Sequence, residues 1–147
     1  FGSKEGLIER VVERFSERLE EGLEEIMNDP KLSTSDKLAA IGHTQATAIF
    51  GLTTKFMDDL KLHAPHLLDK YEKSRKGRID RFYYPLIQRG LEEGLFDPSY
   101  SADFLVQLYM KLSDLVGKTD ILEKSGMSRT EGFDKLIRIF LNGTREP

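Results

Sequence analysis

The sequence contains no cysteine and no tryptophan among its 147 residues. Without cysteine the chain can form neither a disulfide framework nor a thiolate metal site, and it has no cysteine nucleophile. A chain without disulfides suits a reducing compartment, so we expect a cytoplasmic location. The sequence begins Phe1-Gly2-Ser3 rather than with methionine, and we expect it to be a fragment of a longer translated chain.

The sequence also lacks a basic excess and long apolar runs. Its formal net charge is -3, whereas a domain that binds DNA by itself usually carries a basic face. No apolar run is long enough to cross a bilayer, so we expect no membrane partner. Hydrophobic residues make up 39% and charged residues 32%, which is typical of a folded domain. The length suits one domain over residues 1–147.

Apolar residues recur at helical spacing along most of the chain, which predicts an all-α fold, an antiparallel bundle of about six helices. Ser3 is a suitable cap for the first helix. Pro65 suits a helix start, and Pro85 predicts a kink inside the long helix that follows. The predicted helices cover residues 3–27, 33–60 with Gly51 as a candidate break, 65–94, 101–116 and 128–143, with capping boxes at Ser33/Asp36 and Ser128/Glu131 and a polar loop over 117–127.

Residues 38–54 include no Lys, Arg, Asp or Glu, so most of this stretch should be buried. It nevertheless carries several uncharged polar side chains, and their recurrence in a buried helix favours a pocket for a small, largely apolar molecule. For any one residue the alternative is ordinary core packing, with His43 hydrogen-bonded inside. The candidate lining residues are His43, Thr47, Phe50, Thr54, Met57, Phe82, Tyr83, Ile87, Leu105 and Tyr109.

The segment 101–116 is apolar around most of its circumference, and the last helix has a similar surplus. A helix of this kind is buried on more than one side, which favours a homodimer. The alternative is a central helix enclosed by its own chain. The predicted interface residues are Phe104, Leu108, Leu112, Leu115, Phe133, Leu136, Ile137 and Phe140.

No pattern in the sequence predicts catalysis. Neither a nucleophile-elbow motif nor a phosphate-binding loop is present. Asp59, His63 and His66 lie close together, but Pro65 interrupts their spacing and a metal site needs three or four convergent ligands. We therefore expect no enzyme activity, no metal and no cofactor.

Three stretches resemble one protein family. Residues 1–7 (FGSKEGL) are similar to the F-x-S-K-E-x-L end of the helix-turn-helix in tetracycline-repressor-like (TetR/AcrR) regulators. Residues 86–96 (LIQRGLEEGLF) resemble the G-x-x-x-G-x-F segment of that family, and residues 136–143 (LIRIFLNG) resemble its closing helix. The three helices that precede the first motif in the family, including the DNA-reading helix, are missing from this sequence.

The resemblance implies an effector-binding and dimerisation domain in which residues 1–27 form the connecting helix. It implies a four-helix dimer interface, a small-molecule effector and operator DNA bound through the missing N-terminal domain. It also implies that Lys4 contacts a DNA phosphate at a helix N-terminus. We expect a ligand-responsive transcriptional regulator, most simply a repressor. The alternatives are a helical-bundle interaction module without a small-molecule site, and a bundle enzyme or metal carrier.

Overall fold

A computed structural model describes residues 3–48, 54–118 and 120–145, without the side chains of 45–48, 54, 117 and 118. Within these residues all regular structure is helical, as predicted, and no strand is present. The elements are α1 Lys4–Asn28, α2 Thr34–Ala48, α3 Thr54–His63, α4 Pro65–Arg78, a π-helical turn Ile79–Tyr83, α5 Tyr84–Glu92, α6 Ala102–Lys118, α7 Ile121–Lys124 and α8 Arg129–Gly143.

Several helices begin at the capping residues that the sequence predicts. The Ser3 hydroxyl accepts a hydrogen bond from a backbone N–H in the first turn of α1 at 3.0 Å. Before α2, the Asp36 N–H donates to Ser33 at 3.1 Å and the Ser33 N–H donates to the Asp36 carboxylate at 3.4 Å. Ser128 and Glu131 form the same reciprocal pair before α8. These bonds satisfy N–H groups that have no partner inside the helix.

The segment between α6 and α8 differs from the predicted loop because it contains α7. Leu122 of this short helix is 8% exposed and covers Gly132 of α8. An element of this length is too short to produce a periodic signal that stands out from a loop. The candidate break at Gly51 lies outside the described residues.

The predicted kink at Pro85 takes the form of a wider helical turn. The Tyr84 N–H donates to the Ile79 carbonyl five residues back, which defines the π-helical turn. Proline has no N–H, and its ring presses on the carbonyl of the preceding turn. The wider turn accommodates the ring, so the helical path continues from Pro65 to Glu92.

The core is divided into a main part and a smaller part. In the main part α2 packs against α1 and α8, while α6 packs against α5 and α8. The smaller part joins α1 to α3 and α4 through Val12, Leu60, Ala64 and Leu67.

Gly42 allows α2 to approach α8 closely. A Cβ atom added at this position would lie 2.8 Å from Cγ1 of Ile137 and 3.3 Å from its Cδ1. These distances are below ordinary van der Waals contact, and packed cores tolerate added volume poorly. The pairing of α2 with α8 therefore requires a residue without a side chain at position 42.

We predict that Gly42→Val destabilises the domain by about 1–3 kcal/mol through overpacking. Gly77→Ala is the matched control, because nothing lies within 4 Å of a Cβ at that helical glycine. It should stabilise the domain by about 0.5–1 kcal/mol through helix propensity. Urea denaturation of the three proteins measures both changes. Equal stability of Gly42→Val and the parent would contradict the close approach of the two helices.

Candidate functional site

Part of the predicted ligand site forms an aromatic cluster inside the main core. The rings of Tyr83 and Tyr109 have centroids 5.8 Å apart, and those of Tyr109 and Phe140 are 5.5 Å apart. At such separations the rings contact each other directly. The predicted residues brought together here are all at most 4% exposed: Phe82, Tyr83, Ile87, Leu105 and Tyr109.

The structure does not bring His43 into this cluster. Ile41 and Gly42 face the interior, and the next residue of the helix, His43, is exposed on the outer side of α2. Most of this uncharged segment was expected to be buried, and His43 was placed among its buried residues, but a helix that packs on α1 and α8 still has an outer face. The placement of His43 in the pocket is therefore corrected.

The remaining predicted pocket residues are not part of the aromatic cluster. Met57 is half-buried against the smaller core beside Leu60. Thr47 lies in α2 and Thr54 in α3, but the structure describes only the backbone of these two residues. Phe50 lies outside the described residues.

A cleft of about 510 Å³ lies where the start of α1 meets α3 and the residue that follows it, Ala64. Its lining is mostly apolar and includes charged side chains of both signs. Sequence reasoning missed it because two helices that are distant in sequence form it, and no single segment carries its pattern. Its lining residues are Lys4, Glu5, Ile8, Phe56, Asp59, Leu60, His63 and Ala64.

The histidines near this cleft do not assemble a metal site. Asp59 and His63 both line the cleft, but His66 turns to α1 and lies 2.6 Å from Glu5. Among the residues that the structure describes, no group of three His, Asp or Glu side chains is arranged to hold a metal ion.

Arg78 is a charged side chain inside the bundle, with 3% of its surface exposed. It donates to Ser74 at 3.0 Å and to Ser16 of α1 at 3.4 Å, and its guanidinium lies 5.9 Å from the centre of the Tyr71 ring. Burial lowers the pKa of Arg78, and the neighbouring Tyr71 and Tyr83 oppose that effect. Sequence reasoning missed this residue, because an arginine among other charged residues on a helix is usually a solvent-facing residue.

The exposed face of α6 carries an apolar stripe, defined as Phe104, Leu108, Leu112 and Leu115. These residues follow one another at steps of four, four and three, so they lie on one side of the helix. Phe104 is 50% exposed and Leu115 is 46% exposed, while Leu108 and Leu112 are half-buried. The Tyr100 ring extends the stripe by stacking on Phe104 at 5.5 Å.

The interface residues predicted on α8 have a different location. Their side chains are at most 5% exposed within their own chain, because α8 packs against α2 on one side and α6 on the other. A second copy of the chain cannot reach them in this packing, so their assignment to a dimer interface is corrected. Ile139 is the large apolar residue that α8 exposes, at 67%. The corrected residues are Phe133, Leu136, Ile137 and Phe140.

Lys4 is the first residue of α1 and is exposed. The first N–H groups of a helix and its dipole favour an anion at this end. The position is therefore suitable for a phosphate contact, as the resemblance implies.

Comparison with known proteins adds no relative, because no protein-family model, no curated protein and no solved structure matches this chain. In the described ranges, no helix combines the length and the apolar character needed to cross a membrane.

The buried tyrosine of the cluster predicts a loss of stability at alkaline pH. Burial raises the pKa of Tyr109 well above its ordinary value, and the nearby Tyr83 raises it further. The unfolded chain therefore releases this proton first as the pH rises through about 10, which favours unfolding. Tyr109→Phe removes the group, so its melting temperature should fall less steeply between about pH 9 and pH 11.

Melting curves of the parent and of Tyr109→Phe, recorded by circular dichroism across that range, measure the effect. The pKa of Lys70 is raised by its hydrogen bond to Glu9, and this group titrates in both proteins alike. Parallel alkaline slopes for the two proteins would show that Tyr109 is not buried as described.

Proposed function

We propose that this chain is the effector-binding and dimerisation domain of a ligand-responsive transcriptional regulator similar to tetracycline-repressor-like proteins. The observation that carries the proposal is the apolar stripe on α6, which the chain leaves partly exposed. The motif resemblance supplies the regulatory context, and the all-helical fold agrees with it.

The stripe has the properties of a self-complementary interface. Single exposed apolar residues are common on monomers, but a contiguous patch usually marks an interaction site. From Phe104 to Leu115 the stripe extends about 16 Å along the helix axis. Two copies related by a two-fold axis can place α6 against α6, so that each stripe covers the other.

We predict that Leu115→Glu converts the dimer to a monomer, because a carboxylate in an apolar interface loses its hydration without gaining a partner. Leu62→Glu is the matched control, since Leu62 is 75% exposed on α3 and lies outside the stripe. Sedimentation equilibrium should give a dimer for the parent and for Leu62→Glu. A parent that is monomeric at high concentration, or a dimeric Leu115→Glu, would contradict this use of the stripe.

The regulatory part of the proposal depends on how α1 is connected to α4. α1 contains 25 residues and is therefore about 37 Å long. Lys70 of α4 contacts Glu9 at 3.0 Å and Glu13 at 3.3 Å, and the smaller core packs beneath these pairs. A shift of α4 would therefore carry the start of α1 with it. A ligand that prefers one packing of the central helices would then change the position of any DNA-reading domain attached there.

We predict that the two Ser3 ends of the dimer are spaced to serve two DNA half-sites, whose centres lie roughly 34–36 Å apart on one face of the duplex. The chain has no cysteine, so Ser3→Cys carries a single spin label per subunit. Pulsed electron spin resonance should then give a dipolar coupling in a measurable range, and adding Leu115→Glu should abolish it. A dimer without measurable coupling would leave dimerisation in place and contradict the DNA-spacing role of α1.

A second candidate function is a helical interaction module without a small-molecule site. The ring contacts of Tyr83, Tyr109 and Phe140 favour it, because they fill the region where the sequence predicts a pocket. The two candidates differ in their response to small molecules. Binding of a small molecule that shifts the NMR signals of Tyr83 and Tyr109 supports the regulator, whereas shifts confined to surface residues support the interaction module.

A further inference from the structure

Arg78 is a positive charge that the fold buries without a nearby negative charge. Its hydrogen-bond acceptors, Ser16 and Ser74, are neutral hydroxyl groups. Across the described residues no carboxylate lies within ion-pair distance of Arg78, and Glu20 influences it only from farther away. Burying a charge without a counter-charge is strongly unfavourable. A bound anion would relieve this cost.

The surroundings of Arg78 suit the aromatic body of a small molecule. The π-helical turn places Tyr83 one wide turn after Arg78, since its hydrogen bonds join residues five apart. The ring of Tyr71 lies against the guanidinium, and the ring of Tyr109 packs on Tyr83 at 5.8 Å. Aromatic rings with a few placed polar groups are the usual lining of small-molecule sites.

A buried hydroxyl group without a hydrogen-bond partner is present on α6. Ser113 is 6% exposed, and its hydroxyl oxygen has no hydrogen-bond partner within the described structure. It follows Tyr109 by one turn of α6 and lies near enough to lower the pKa of Tyr109 against the larger effect of burial. The two hydroxyl groups nevertheless do not meet hydrogen-bond geometry. Buried hydroxyls without a partner are rare in native proteins, and an oxygen atom of a ligand would provide the missing bond.

A groove of about 160 Å³ lies between α4 and α6, and its lining includes sequence neighbours of Arg78 and Ser113 but not these two residues themselves. Arg75 and Asp114 cross it with a salt bridge of 2.8 Å. Arg78 comes one turn after Arg75, and Ser113 directly precedes Asp114, so each buried residue is a near neighbour in sequence of one end of this bridge. The groove is smaller than most ligand sites, which start near 300 Å³. Its lining residues are Glu72, Arg75, Lys76, Ile79, Gln107, Met110, Lys111 and Asp114.

We propose that Arg78 and Ser113 bind the carboxylate of a small aromatic acid that enters through this groove. The inference rests on the effector-binding role proposed above and names the chemistry of that effector. The carboxylate accepts hydrogen bonds from the guanidinium and from the Ser113 hydroxyl, while the aromatic body packs on the neighbouring tyrosines. For the groove to open, the salt bridge between Arg75 and Asp114 must separate and Met110 must adopt another rotamer. The unbranched side chain of methionine allows such a change. The basic rim residues attract an anion to the entrance.

The test compares acids with their neutral amides: 4-phenylbutanoate with 4-phenylbutanamide, and indole-3-acetate with indole-3-acetamide. At about ten times its dissociation constant, a bound acid should raise the melting temperature by roughly 3–6 °C. The amides should have no such effect, since they cannot neutralise Arg78. Equal shifts from acid and amide, or no shift from either acid, would overturn the proposal.

Three variants assign the effect to Arg78. Arg78→Met should weaken binding of the acids at least about tenfold, because it removes a charge-assisted hydrogen bond. Arg78→Lys should restore part of the affinity, and it keeps the test informative if Arg78→Met fails to fold. Arg81→Met is the matched control, because Arg81 is exposed and pairs with Glu24; it should bind the acids like the parent.

The unliganded Arg78→Met protein separates a binding role from a structural one. If Arg78 serves a ligand, removing its unpaired charge should leave the melting temperature unchanged or raise it. A clear fall in the melting temperature together with unchanged acid binding would make Arg78 a structural residue and overturn the proposal. Sedimentation distinguishes this failure from failure of the proposed function. If the protein is a dimer but the acids do not raise its melting temperature, only the anion site is refuted. If the protein is a monomer whose melting temperature the acids do raise, only the dimerisation role is refuted.

Discussion

The close contact of α2 with α8 determines how the apolar surfaces of this domain are divided. Because Gly42 presents no side chain, α8 can place Ile137 directly against the backbone of α2. That contact uses part of the apolar face of α8 inside its own chain, and α8 also packs against α6. The opposite side of α6 carries the stripe from Phe104 to Leu115, which the chain covers only partly.

The long helical path from Pro65 to Glu92 serves both cores. Its first half is joined to α1 by surface ion pairs and by the smaller core. Its second half belongs to the main core. Arg78 ends the first half on the same face of α4 as Leu67, and the π-helical turn that follows places Phe82 and Tyr83 in the interior. A helix without Pro85 could keep regular α-helical bonding throughout, so one backbone constraint influences which residues after Arg78 face the core.

The sequence predicted those features that depend on neighbouring residues. The caps at Ser3, Ser33 and Ser128 were predicted correctly because each needs only a side chain and the first turn of a helix. Features that depend on packing between distant segments were not predicted. The outward position of His43 follows from which side of α2 meets α8, and the burial of Phe140 follows from its ring contacts with Phe96 and Tyr109. Arg78 was missed because nothing local distinguishes a buried arginine from an exposed one.

The ion pairs between α1 and α4 make the position of α1 sensitive to the surrounding solution. Lys70, Glu9 and Glu13 are each more than a third exposed, so dissolved salt screens their attraction. The apolar contacts around Val12 and Leu67 do not weaken in this way. At high ionic strength α1 would be held mainly at its centre, and its first turns would gain freedom. The start of α1 would therefore be held more firmly against α4 in dilute buffer than in concentrated salt.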